Sequence, residues 1–149
     1  MTRLDPLAFL KRRRDRSKKT LIKVPSETGY IRKVSLGILS GLDRYGVDEG
    51  KAFDIRLCVE EAVRNAMVHG NHSDKRLSVK TVYWVDNGAL NIEVEDEGAG
   101  FDSAAVSDPT HEDHILKNSG RGVFLIKKLM DKVEYNDKGN KITMVKSLK

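Results

Sequence analysis

Glu61, Asn65 and His69 stand four residues apart in the segment Arg56–His72, where Val59, Ala62, Val63, Ala66 and Met67, with Ile55 just before the segment, recur at helical spacing. The three polar residues therefore share one face of a helix. A carboxylate one turn from a carboxamide on an otherwise apolar helix needs a partner, because an unpaired buried acid is costly. A second acid is placed similarly. Leu90, Ile92 and Val94 alternate along the inward face of a strand, and the same parity carries Asp96 inward. Two glycine segments follow, Gly98-Ala99-Gly100-Phe101 and Gly120-Arg121-Gly122. Glycine-flanked amides at the start of a helix can offer N–H groups to anions. A carboxylate can act as a general base and an amide oxygen can face a hard cation. The set reads as an ATP site, with Glu61 as base, Asn65 as Mg2+ ligand and the glycine segments completing it.

These residues need a scaffold. The chain of 149 residues suffices for one domain with a real core. Its net charge of +5 is unevenly spread: Lys11–Lys19 holds seven basic residues and one acid, and without it 20 basic residues face 21 acidic ones. Residues 1–19 read as a solvated, disordered arm, and residues 20–149 as the domain. A single cysteine, Cys58, excludes an internal disulfide and falls among the packed residues of the helix, as an inert thiol. There is no long apolar run and no signal-peptide pattern, so a soluble, cytoplasmic protein without a membrane span is expected. His72, His111 and His114 lack the partners of a zinc site, and His69 reads as a helix-end residue.

In chain order, Thr20–Val24 predicts an edge strand stopped by Pro25. Ser26 is placed to cap a helix with the stripe Tyr30, Val34, Ile38, Leu42 and Tyr45, closed by Gly46. Asp48 caps the central helix, which is expected to run to about Val68 and to close at Gly70 and Asn71. Arg76–Val85 alternates as a strand, and Asp86-Asn87-Gly88 turns it into the return strand. Residues 99–119 are polar and irregular, the length of a lid. A helix from Val123 to about Met130, a strand Val133–Tyr135, a turn Asn136–Asn140 and a strand Lys141–Leu148 follow. Grouped helices and mostly antiparallel strands indicate α+β, a two-layer sandwich with the helices on one face of the sheet.

Glu61-Ala62-Val63-Arg64-Asn65, Asp96-Glu97-Gly98-Ala99-Gly100-Phe101 and Ser119-Gly120-Arg121-Gly122-Val123-Phe124-Leu125-Ile126 resemble, in order, the N box and the two glycine boxes of the GHKL ATPases. That superfamily, with the Bergerat fold, includes the ATP domains of DNA gyrase, heat-shock chaperones and histidine kinases. The short single-domain format, with Leu129–Val133, is most similar to the bacterial anti-sigma factor serine kinases. The resemblance runs from Thr20 to Leu148 and implies a role for each matched residue. Glu61 would take the proton from the attacking hydroxyl. Asn65 would coordinate the Mg2+ that bridges the phosphates of ATP. Asp96 would accept a hydrogen bond from the adenine amine. Gly98, Gly100 and Phe101 would let the backbone approach the nucleotide, and Gly120, Arg121, Gly122 and Val123 would wrap its phosphates. The family usually carries a threonine in the last strand after its glycine. Counted from Gly139 that position is Lys141, and Thr143 stands two residues on.

The resemblance implies an ATP-dependent protein serine/threonine kinase. Its partners would be an anti-anti-sigma (STAS-type) protein, which it phosphorylates, and a sigma factor, which it sequesters; homodimerisation is left open. A nucleotide-gated partner-binding switch with little or no transfer would use the same residues. Nucleic-acid binding through the basic arm is the third reading. It is the weakest, because the arm has few aromatics and the domain is near neutral.

Overall fold

The computed structural model describes residues 18–98 and 118–149, with side chains in the second stretch from Arg121 onward. The basic arm up to residue 17, Gly100, Phe101 and most of the expected lid lie outside the described residues.

Five strands form one antiparallel sheet in the order β1–β2–β3–β5–β4. They are β1 (Thr20–Pro25), β2 (Ser78–Asp86), β3 (Ala89–Glu95), β4 (Lys132–Tyr135) and β5 (Lys141–Ser147). Among the described residues three helices accompany it: α1 (Ile31–Gly41), α2 (Glu49–Asn65) and α3 (Asn118–Leu129). The expected α+β sandwich is thus the observed fold. None of these helices is long and apolar enough to cross a membrane.

The period of two in the strands determines which face is covered. Val24, Val79, Leu90, Ile92, Val94, Ile142 and Met144 are buried on one side of the sheet, against Val34, Ile38, Ile55, Val59, Val63 and Ile126 of the helices. The other side carries polar residues such as Lys141 and Glu93, whose charged ends lie 3.3 Å apart. Asp48 caps α2 as its sequence predicts, with the Lys51 N–H donating to Oδ1 at 2.8 Å. Asn87 and Gly88 both take positive φ, the conformation of the two-residue hairpin turn expected between β2 and β3.

Three expectations are corrected. Ser26 does not cap α1: its hydroxyl donates to the Leu77 carbonyl at 2.9 Å, and a 3₁₀ turn, Thr28–Tyr30, precedes the helix. Tyr30 is exposed, and Ile31 takes its place in the stripe. The helical run does reach Val68 and closes at Gly70 and Asn71, but it is not α-helical throughout. Regular winding stops at Asn65, and Ala66–Gly70 form one wider π turn, in which the Asn71 N–H reaches back five residues to the Ala66 carbonyl at 2.9 Å. Such single-turn widenings accommodate one extra residue and are frequent at functional sites.

Candidate functional site

The π turn brings α2 onto the end of β3. Asp96 follows β3 directly and is only 8% exposed, as the inward parity of Leu90, Ile92 and Val94 requires. The Gly98 N–H donates to its Oδ1 at 2.8 Å, leaving Oδ2 to accept from another donor. Burial pushes the Asp96 carboxyl above the usual carboxylate range, against the lowering effects of the Gly98 hydrogen bond and Lys138.

Gly70 lies directly under this carboxylate. A Cβ at Gly70 would run into Asp96, and a Cβ at Gly98 would fall on the Gly70 carbonyl group, 2.7 Å from its carbon. Only glycines allow the turn after α2 and the segment after β3 to approach this closely.

Asn71 locks the junction. It is buried, donates through Nδ2 to Ser26 Oγ at 2.8 Å and the Ser78 carbonyl at 3.0 Å, and accepts through Oδ1 from the Glu97 N–H at 2.8 Å. The ends of β1 and β3 and the start of β2 are thereby tied to one side chain. On the other side of Asp96 stands Asn140. Its carbonyl accepts from the Asp96 N–H at 2.9 Å, and its Nδ2 donates to the Asp96 carbonyl at 3.0 Å.

Glu61 and Asn65 occupy the last turns of α2. The Glu61 side chain is 18% exposed and pairs with Arg64 Nη1 at 3.1 Å; Arg64 itself is 49% exposed, so the pair contributes little stability. A Cβ at Gly122 would stand 2.6 Å from Glu61 Cγ, so the first turns of α3 lie against this carboxylate. Asn65 is half-buried, and its side chain makes no hydrogen bond to another described residue. Its amide oxygen fits a cation whose remaining ligands are phosphates and waters, the way Mg2+ is usually held. His69 is exposed and lies within the π turn, beyond the regular winding that carries Glu61 and Asn65.

The α3 helix starts at Asn118, five residues earlier than its sequence predicts. The structure gives the residues of this segment different surroundings. Gly122 makes room for Glu61, the Val123 side chain is buried in the core, and Arg121 is exposed.

Two separate segments thus meet α2, one at each end of its last turns. The histidine kinase-like ATPase domain matches residues 24–146, which include α2, Asp96 and α3. The chain belongs to the histidine kinase-like ATPase family. It is 30% identical over 134 residues to the serine-protein kinase RsbW of Bacillus subtilis (strain 168), covering 85% of this chain and 84% of that protein. It is 28% identical over 136 residues to the serine-protein kinase RsbW of Staphylococcus aureus (strain MSSA476), covering 86% of each. The crystal structure of the RsbU and RsbW domains of Rv1364c from Mycobacterium tuberculosis has the same fold, with a TM-score of 0.62 at 18% identity; the match covers 89% of this chain and 33% of that one.

In this histidine kinase-like ATPase domain, two residues beside the acid were not singled out by sequence. Asn71 read only as a helix terminator, since nothing in a sequence shows that a polar residue after a glycine is buried by three distant strands. Asn140 was passed over in the search for a hydroxyl at Lys141 or Thr143. Thr143 pairs in register with Glu93 and Glu134, on the polar side of the sheet, so it does not stand beside Asp96.

Proposed function

We propose that this protein is an ATP- and Mg2+-dependent protein serine/threonine kinase of the anti-sigma regulator type. Its substrate would be the serine or threonine hydroxyl of an anti-anti-sigma (STAS-type) partner, and it would also sequester a sigma factor. The observation that carries the reading is Asp96, a buried acid with Oδ2 left to accept, held against Gly70 and Gly98. The helix that leads into Gly70 presents Glu61 against Gly122, about two and a half turns earlier. A buried carboxylate in need of a donor matches the exocyclic amine of adenine.

On this reading Asp96 selects the base and the amides around Gly120 face the phosphates. Asn65 holds the Mg2+, which neutralises phosphate charge when bound. Glu61 takes the proton from the partner's hydroxyl. Gly98, Gly100 and Phe101 line the approach of the nucleotide, and Arg121 and Val123 belong to the phosphate end.

One observation favours the alternative, a nucleotide-gated partner-binding switch. Glu61 already shares its carboxylate with Arg64, which occupies part of the group a base would use. Two measurements separate the readings. Calorimetry with Mg2+ and ATP reports the site, and transfer of labelled γ-phosphate to STAS-type proteins reports the chemistry. Binding with transfer supports the kinase. Binding without transfer to any partner that forms a complex supports the switch. No nucleotide binding overturns both.

A further inference from the structure

The hairpin between β4 and β5 grips the main chain of Asp96 in a way that the proposed chemistry leaves unexplained. The β3–β5 register pairs Glu95 with Lys141, so one step further opposes Asp96 to Asn140. An antiparallel rung of this kind carries two backbone hydrogen bonds. One forms, from the Asp96 N–H to the Asn140 carbonyl at 2.9 Å. The second is not made by the Asn140 N–H, which donates to Asn136 Oδ1 at 3.0 Å. In its place the Asn140 side chain donates to the Asp96 carbonyl at 3.0 Å.

Asn136 fixes that side chain. Its Oδ1 also accepts from the N–H groups of Gly139 at 2.9 Å and Lys141 at 3.1 Å, and its Nδ2 donates to Asn140 Oδ1 at 2.7 Å. The orientation of both amides follows from the network. Asn136 Oδ1 faces three N–H donors, so Nδ2 is the atom that meets Asn140; Asn140 must then present its own Nδ2 to the Asp96 carbonyl.

We infer that Asn140, held by Asn136, is a positioning residue that completes the last rung beside Asp96 and aims its carboxylate at the nucleobase. The inference rests on the reading of Asp96 as the group that recognises the adenine amine. Backbone pairing alone would tie the Asp96 main chain to β5 by its N–H only and leave its carbonyl without a bond across the rung. With the side chain in the rung, the Asp96 peptide is held on both sides while the carboxylate keeps an oxygen for the ligand.

The test is base selectivity, which a merely structural role does not move. Affinities for ATP and for inosine triphosphate, which lacks the exocyclic amine, are measured with Mg2+ on the wild type, Asn140→Asp, Asn136→Asp and Asp96→Asn, together with thermal unfolding. Asn140→Asp keeps the shape but removes the donor to Asp96. Asn136→Asp keeps the acceptor for the three N–H groups and removes the donor to Asn140.

The wild type is expected to prefer ATP by at least about tenfold, the worth of one hydrogen bond to a charged group. Asn140→Asp brings the preference to within about threefold, mostly through weaker ATP binding, and Asn136→Asp shifts it the same way by less. If Asn140→Asp does not fold, Asn140→Ala replaces it with the same expectation. A folded Asn140 variant that keeps the wild-type preference overturns the inference. So does one that loses both nucleotides equally. If Asp96→Asn abolishes the preference in that same series, the reading of Asp96 stands and only the positioning role fails. No preference in the wild type overturns both.

Discussion

The two ends of the last turns of α2 are built differently. At the Gly70 end, Asp96 is enclosed: Gly98 binds its carboxylate, Asn140 brackets its peptide, and Asn71 ties the flanking strands. At the Glu61 end, the side chains depend on far less. Glu61 has a half-exposed arginine and the close approach of Gly122, and the Asn65 side chain has no hydrogen-bond partner among the described residues. One end is rigid before any ligand arrives, whereas the other has its functional groups in place but uncommitted. On the proposed reading the site must hold a base in one pose and then change its contacts with phosphates, metal and a partner's hydroxyl, which this division would serve. Preorganisation reduces the ordering cost at the first end, and spare coordination capacity serves the second.

The sharpest break in the comparison is at the uncommitted end. Glu61→Ala is expected to lower γ-phosphate transfer by about 10²- to 10⁴-fold, the usual contribution of a general base, while ATP affinity by calorimetry changes by no more than about threefold. A large loss of binding would show that Glu61 acts as scaffold. At the enclosed end the expected effects reverse. Asn71→Ala leaves Ser26 Oγ without its donor, the Glu97 N–H without its acceptor and the Ser78 carbonyl without this partner, and should cost roughly 3 kcal/mol, read as a fall in Tm of about 6–12 °C.

Asp96→Asn separates recognition from stability. ATP affinity should fall by about 10- to 100-fold. The unliganded protein should behave in the opposite sense. Burial raises the carboxyl's folded-state value, so Asp96's contribution to stability is present at acid pH, below the ordinary value near 3.9, and is lost as pH rises through the raised one. The asparagine variant should therefore melt higher than the wild type at pH 7, with the gap closing as the pH falls toward the ordinary carboxylate range. A lower Tm at pH 7 would mean that the carboxylate is satisfied within the fold.

The smallest effect lies away from both ends. Thr81 is fully buried on β2, and among the described residues its hydroxyl is the one buried side-chain polar group without a hydrogen bond. Thr81→Val should raise stability by about 1 kcal/mol in chemical unfolding. A loss would reveal a donor or acceptor role for the hydroxyl.

The difference between the two ends also explains what the sequence could reveal. Helical and strand periods are repeated signals, so the core faces of α2 and β3, and with them the inward turn of Asp96, were readable. The spacing of Glu61 and Asn65 within one regular helix was readable for the same reason. The enclosure of Asp96 depends on single residues after glycines and on long-range register, which leave no period. The π turn hid in the same way. Ala66, Met67 and Val68 are ordinary helix formers, and the extra residue becomes visible only through the Asn71 N–H bonding back to Ala66. That Asn118–Gly122 are helical was not readable, because Gly120 and Gly122 are poor helix formers and look like punctuation ahead of the helix.

The surplus residue in the Ala66–Gly70 turn has a consequence for how this gene can vary. Losing one codon there would restore uninterrupted α winding and strengthen the helix's internal bonding. It would also spin everything beyond by about 100°, carrying Asn71 out of its three bonds and Gly70 off Asp96. Selection for a more regular helix and selection for a working site therefore pull in opposite directions at this turn, and deletions that look harmless by propensity should be purged.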